Sequence, residues 1–187
     1  MKKSVCIMSL SLTALLFVSL DATAQVKHRR PYTSSAGVNA YYDTDGVKGN
    51  GSSRDYLCRG DSYDGHSGTD FGLSVGSTIV ASAAGTVTRT NNGCANYGGL
   101  GSTCGGYLGN WVELSHSDGS RTVYAHMQLG SIRVSTGQRV SCGQVLGRSA
   151  SSGNSSGPHL HYGSRAGASG SWSISSTRAT YKGSCGR

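Results

Sequence analysis

Trp111-Val112-Glu113-Leu114-Ser115-His116, Ser117-Asp118-Gly119-Ser120 and Arg121-Thr122-Val123-Tyr124-Ala125-His126 follow one another and decide the fold. Apolar and polar residues alternate on both sides of an Asp-Gly turn, the pattern of a β-hairpin. The same texture repeats outward. Asp70-Phe71-Gly72-Leu73-Ser74-Val75 and Gly85-Thr86-Val87-Thr88-Arg89 come before it; Ile132-Arg133-Val134 and Gln144-Val145-Leu146-Gly147 come after. No window of about 12 residues carries an apolar stripe of helical period. The 29 glycines also oppose long helices. The chain reads as all-β, an antiparallel sheet with long loops.

The two ends read differently from the middle. Lys2 and Lys3 precede an apolar run from Leu10 to Leu20, too short to span a bilayer comfortably, and Ala22-Thr23-Ala24 offers the small residues of a cleavage site. Residues 1–24 are therefore expected to be a signal peptide, with secretion to the periplasm or the medium and no stable membrane insertion afterwards. Residues 25–57 read as an extended lead-in with little regular structure, and His28, in Lys27-His28-Arg29-Arg30-Pro31, as a solvated side chain. Residues 58–165 read as one folded domain, and the Ser/Gly-rich residues 166–187 as a tail that packs on it. With no repeats and no second domain, a monomer is expected.

Cys58, Cys94, Cys104, Cys142 and Cys185 outlast the signal peptide. Export favours disulfides. A Cys94–Cys104 bridge would tie off a Gly-rich loop, and Cys142–Cys185 is the second expected pair, with one thiol left over. The formal net charge is +8, and loss of residues 1–24 lowers it by one. Such a chain is drawn to polyanions. An exported protein meets anionic wall polymers before it meets nucleic acid. No basic helix or Arg/aromatic interleaving is present, so a nucleic-acid partner is not expected.

Gly157-Pro158-His159-Leu160-His161-Tyr162-Gly163 carries the chemistry. Side chains at i and i+2 of a strand share a face, so His159 and His161 can look into one cavity. Far upstream lies His66-Ser67-Gly68-Thr69-Asp70, and the hairpin ends at His126. A catalytic zinc site takes three protein ligands, commonly His and carboxylate, and keeps one position for water. Hydrolysis also needs a proton carrier. The chain has no His-Glu-x-x-His helix, and its single glutamate, Glu113, lies in the hairpin, so the base must be histidine or aspartate. Once His66 and His161 bind metal, His126 and His159 remain.

Each residue has a plain alternative. His66 and Asp70 fit a polar loop, His126 a half-buried histidine on a carbonyl, and His159 with His161 a turn. Together they weigh more, because four of the six histidines fall in these three places. His116, inside the hairpin, reads as structural.

His66-x-x-x-Asp70, Tyr124-Ala125-His126 and Gly157-Pro158-His159-Leu160-His161 resemble the signature of the lysostaphin-like (β-lytic, LytM-type) zinc endopeptidases of peptidoglycan. Ala84-Gly85-Thr86-Val87 and Gly109-Asn110-Trp111-Val112 agree with it, and the similarity runs from about residue 58 to residue 163. The resemblance implies one zinc ion on His66, Asp70 and His161. It makes His126 and His159 the non-ligand pair that orients water and stabilises the oxyanion, with Asn110 near the bound peptide. It implies a groove walled by loops over the sheet, in a secreted hydrolase of peptidoglycan stems or cross-bridges. Two other readings stand beside it: a general secreted protease preferring Gly-rich peptides, and a catalytically silent wall-binding module of the same fold.

Overall fold

The computed structural model describes residues 25–44, 48–55 and 59–165. The expected signal peptide, the tail at 166–187, Cys58 and the Cys142–Cys185 pairing fall outside the described residues, wholly or in part. Nine strands follow in chain order: β1 (Val38–Ala40), β2 (Thr69–Phe71), β3 (Thr78–Val80), β4 (Gly85–Asn91), β5 (Asn110–Ser115), β6 (Arg121–Met127), β7 (Arg139–Val140), β8 (Val145–Arg148) and β9 (Leu160–Arg165). The described residues include no helix. Seven strands form one antiparallel sheet in the order β1-β2-β9-β6-β5-β4-β7, and β3 pairs with β8 in a second.

The expected hairpin is β5–β6, with Glu113 opposite Val123 and Ser115 opposite Arg121. Its turn closes through His116 N–H to Ser120 O at 2.9 Å, and Gly119 takes a φ of 79° there. Alternation sends Val112, Leu114 and Tyr124 into the core, where they meet Phe71, Leu160 and Tyr162. Ile79 of β3 and Leu146 of β8 belong to the same core. The neighbouring Glu113 points the other way. It is fully buried and its carboxylate takes Arg89 at 2.7 Å, Arg121 at 2.6 Å and Arg165 at 3.2 Å. The lone glutamate is thus committed to an ion-pair cluster.

Two expectations change. Ile132-Arg133-Val134 forms no strand: among the described residues, Arg133 N–H alone of the three reaches a backbone neighbour, Leu146 O at 2.9 Å. The lead-in, in turn, is part of the fold. β1 pairs with β2, a tertiary contact that no local pattern in a Ser/Gly/Asn-rich stretch announces.

His28 is the sharpest correction. It is buried at 3 % exposure, with Nδ1 2.9 Å from Ser82 Oγ and 3.2 Å from Tyr162 OH. Ser82 Oγ also meets Tyr124 OH at 2.8 Å, and the His28 ring stands edge-on to His116 at 5.0 Å. His116 itself bonds Ala84 O and Thr122 Oγ1, a structural role as expected. Tyr162 precedes Gly163 and follows His161, so this network sits on the face of β9 opposite His161. Flanking cations dominated the sequence reading of His28, whereas the chain folds its imidazole under the sheet.

Burial, helped by the His116 charge and opposed by Asp118, pushes the His28 pKa from 6.5 down to about 4. Between those values the unfolded chain binds the proton more tightly, so stability is full above pH 6.5 and is lost as pH falls through about 4. Chemical denaturation of chelated protein across this range is expected to show a loss of up to about 3 kcal/mol from this residue. His28→Gln should flatten that slope; an unchanged slope would show that His28 does not carry it.

Candidate metal centre

The register of β2 on β9 builds the site. Asp70 lies directly opposite His161, and Ala125 of β6 flanks His161 on its other side. His66 reaches the same point from the loop before β2. Its Nε2 lies 3.0 Å from Asp70 Oδ1 and 3.2 Å from His161 Nδ1, and Asp70 Oδ1 lies 3.0 Å from His161 Nδ1. All three residues are buried, at 1 %, 6 % and 4 % exposure. Among the described residues this is the only such group of three or more.

Partners outside the triangle decide which atoms face it. His66 Nδ1 is 2.6 Å from Tyr41 O, and a carbonyl only accepts, so that nitrogen carries the proton. His66 Nε2 is then a bare lone pair facing a carboxylate oxygen. Burial raises the Asp70 pKa, but the contacts with His161 and His66 outweigh it and hold the carboxyl well below its usual range. Burial lowers the His161 pKa despite Asp70. His161 Nε2 is buried with no hydrogen-bond partner. Three potential ligand atoms converge at contact distance, two imidazole nitrogens and one carboxylate oxygen. A divalent cation of the zinc type satisfies all three together, and the donor set fits it.

Two more histidines flank the triangle. His126, the last residue but one of β6, has a φ of 58°, a left-handed conformation costly for a non-glycine residue. Three bonds hold it there: its N–H to Leu108 O at 2.9 Å, Ala150 N–H to its carbonyl at 2.9 Å, and Nδ1–H to Ser152 O at 2.6 Å. Its ring lies 4.6 Å from that of His159 and 5.8 Å from that of His161, centroid to centroid. Burial, then the His159 and His161 charges, lower its pKa to about 3, so His126 is neutral, and with Nδ1–H on Ser152 O its Nε2 carries the lone pair. His159 gives Nδ1–H to Gly157 O at 2.8 Å and brings Nε2 to 3.6 Å from Asp70 Oδ1. The five histidine and aspartate positions singled out in the sequence thus meet at one place.

Asn110 does not share that environment. It is fully buried, and its amide spans Cys94, with N–H to Oδ1 at 2.8 Å and Nδ2–H to O at 2.8 Å. The second Nδ2–H goes to Met127 O at 3.1 Å. Both donors and the acceptor are used inside the protein. The loop it holds is closed by the Cys94–Cys104 disulfide, and Cys142 is disulfide-bonded as well. Tyr63, three residues before His66, was not singled out; its ring stacks on His66 at 4.2 Å and stays 52 % exposed. Tyr41 and Ser152 act through backbone carbonyls, which leave no mark in a sequence.

A sequence model of peptidase family M23 matches residues 64–171. The chain is 38% identical over 97 residues to the peptidoglycan DD-endopeptidase ShyA of Vibrio cholerae, covering 52% of this chain and 19% of that protein. It is 36% identical over 97 residues to the glycyl-glycine endopeptidase ALE-1 of Staphylococcus capitis, covering 52% of this chain and 24% of that protein. It therefore spans well under two thirds of these curated relatives. Among solved structures, the catalytic domain of the prophage-encoded M23 protein EnpA from Enterococcus faecalis superposes with a TM-score of 0.51 at 27% identity, covering 76% of this chain and 88% of that one. A zinc-containing peptidase from Vibrio cholerae shares the fold with a TM-score of 0.57 at 20% identity, covering 86% of this chain and 41% of that one.

Gly68 leaves the room that His161 needs. A Cβ there would lie 2.7 Å from His161 Nε2 and 2.7 Å from Tyr162 O. Gly68→Ala is expected to push the ring off the triangle and weaken zinc binding by about 10- to 100-fold, read by competition against a chelator. Unchanged affinity would show that β9 yields without moving the ligand.

Proposed function

The chain belongs to peptidase family M23, and from that premise we propose that it is a zinc metalloendopeptidase hydrolysing peptide bonds in the stems or cross-bridges of bacterial peptidoglycan. The observation that carries this reading is the His66–Asp70–His161 donor triangle with two further histidines, His126 and His159, beside it. A silent wall-binding module has no use for that pair.

His66 Nε2, Asp70 Oδ1 and His161 Nδ1 would hold one zinc ion. A zinc ion there supplies Lewis acidity, bringing the pKa of water toward ~7 and polarising the carbonyl to be attacked. His126, tied at Nδ1 to Ser152 O, offers the lone pair of Nε2 as a proton acceptor. His159, tied at Nδ1 to Gly157 O, presents Nε2 from the other side of the triangle, where it can accept from water and, once it has taken a proton, donate to a developing oxyanion. Asn110 is read as holding the loop rather than touching peptide.

The chemistry is assigned to residues 58–165, with the lead-in as a working part of the unit, since Tyr41 sets the His66 tautomer. The basic chain, secreted to the periplasm or the medium, would dwell on anionic wall polymers as a monomer. Relatives named for a DD bond and for a glycyl-glycine bond leave both bond types as substrates to compare.

Two purified peptidoglycans, one with glycine bridges and one with direct D-Ala–diaminopimelate links, provide the test. Mass spectrometry should find released fragments from one of them, lost on zinc chelation and restored by zinc. No release from either wall by zinc-loaded protein would overturn the proposal. His161→Ala should lose metal and activity together. His126→Ala should keep zinc and lose about 10²- to 10⁴-fold in turnover, and a zinc-free His126→Ala protein would move that residue into the ligand set.

A further inference from the structure

Between the disulfide-closed loop and the proton-accepting histidine runs an unbroken set of short bonds. Ser152 is fully buried; its Oγ accepts Asn110 N–H at 2.9 Å and donates to Met127 O at 2.7 Å. The same residue's carbonyl takes His126 Nδ1–H at 2.6 Å. Asn110, from the other side, grips both backbone groups of Cys94 and adds a second bond to Met127 O. Met127 follows His126 directly, so the strained residue is clamped on its C-terminal side and at its ring. Backbone contact completes the assembly. A Cβ on Gly109 would lie 2.3 Å from Ser152 C, and one on Gly98 would lie 2.0 Å from Gly153 O.

We infer that Ser152 and Asn110 are positioning residues: the Ser152 hydroxyl fixes the carbonyl that keeps His126 protonated on Nδ1, and Asn110 locks the Cys94–Cys104 loop to that carbonyl's support. The inference rests on the proposed role of His126 in proton transfer. Three facts separate this role from substrate contact. Asn110 has no exposed surface, both of its amide hydrogens are used internally, and its acceptor is occupied. A residue in that state changes turnover through the geometry of another, not by binding peptide. His126 at positive φ gives the clamp its purpose, because such a conformation persists only where surrounding bonds over-determine it.

Ser152→Ala removes the hydroxyl. Asn110→Asp keeps the shape but sets an oxygen against two carbonyls in place of the amide donor. Zinc-loaded wild type and both variants would be compared by zinc content, by kcat and KM on the wall that the enzyme cleaves, and by the ¹⁵N ring shifts of His126. The expected result is one zinc per chain, kcat down about 10- to 100-fold with KM held, and loss of the Nδ1-protonated signature. Wild-type kcat and ring shifts in both variants would overturn the inference. A raised KM at constant kcat for Asn110→Asp would overturn it by making Asn110 a substrate contact. Loss of zinc in both variants would reduce the pair to general support and overturn it as well. If wild type cleaves neither wall, the peptidase reading fails, while the ring shifts still decide whether Ser152 and Asn110 set the tautomer.

Discussion

The pairing of β2 with β9 is the constraint on which the rest depends. It places Asp70 opposite His161 and, one step along, Phe71 opposite Leu160. The two pairs face opposite sides of the sheet, so the core and the metal centre are set by one register. Burying Phe71 and Leu160 is worth about 1.5–3 kcal/mol each, a large share of a total stability of about 5–15 kcal/mol. Crowding three electron-pair donors favours nothing by itself in the absence of a cation. Apolar burial therefore chooses the register and the donors follow. A slip of one residue would turn the carboxylate into the core.

The same alternation separates two buried polar systems of opposite purpose. On the core side, Ser82 ties His28 to Tyr124 and Tyr162 through hydroxyls, and every ring there has a partner. On the other side, His66 turns the lone pair of Nε2 toward the Asp70 carboxylate, and His161 Nδ1 meets both at the same point. Satisfied networks hold a fold together, while unsatisfied ones mark where a ligand belongs. Equal burial thus gives His28 a structural role and His161 a chemical one.

Legibility in the sequence followed the same division. The β5–β6 hairpin was readable because alternation and an Asp-Gly turn agree locally. The His66, Asp70, His126, His159 and His161 set was readable because these side chains are chemically distinctive and sit at tell-tale spacings. His28 was misread because Lys27, Arg29 and Arg30 surround it, and neighbours in sequence say little about neighbours across a sheet. β1 was invisible for a similar reason, since its pairing with β2 is supplied by contact rather than by pattern. Asn110 was recognised as special, but its position does not reveal that Cys94 and Met127 saturate its amide.

Backbone carbonyls complete the physical account. His66, His126 and His159 each give Nδ1–H to one, at 2.6, 2.6 and 2.8 Å, and so each turns Nε2 inward. His161 alone turns Nδ1 inward. Which nitrogen each of the first three rings presents to the site is thus set by the main-chain carbonyl that captures the other. Carbonyls can approach rings this closely only where loops pack backbone against backbone, as at Gly98, Gly109 and Gly153. A helix would spend its carbonyls on itself. The glycine-rich, strand-and-loop composition that opposed helices in the sequence is therefore also what frees carbonyls to orient the histidines.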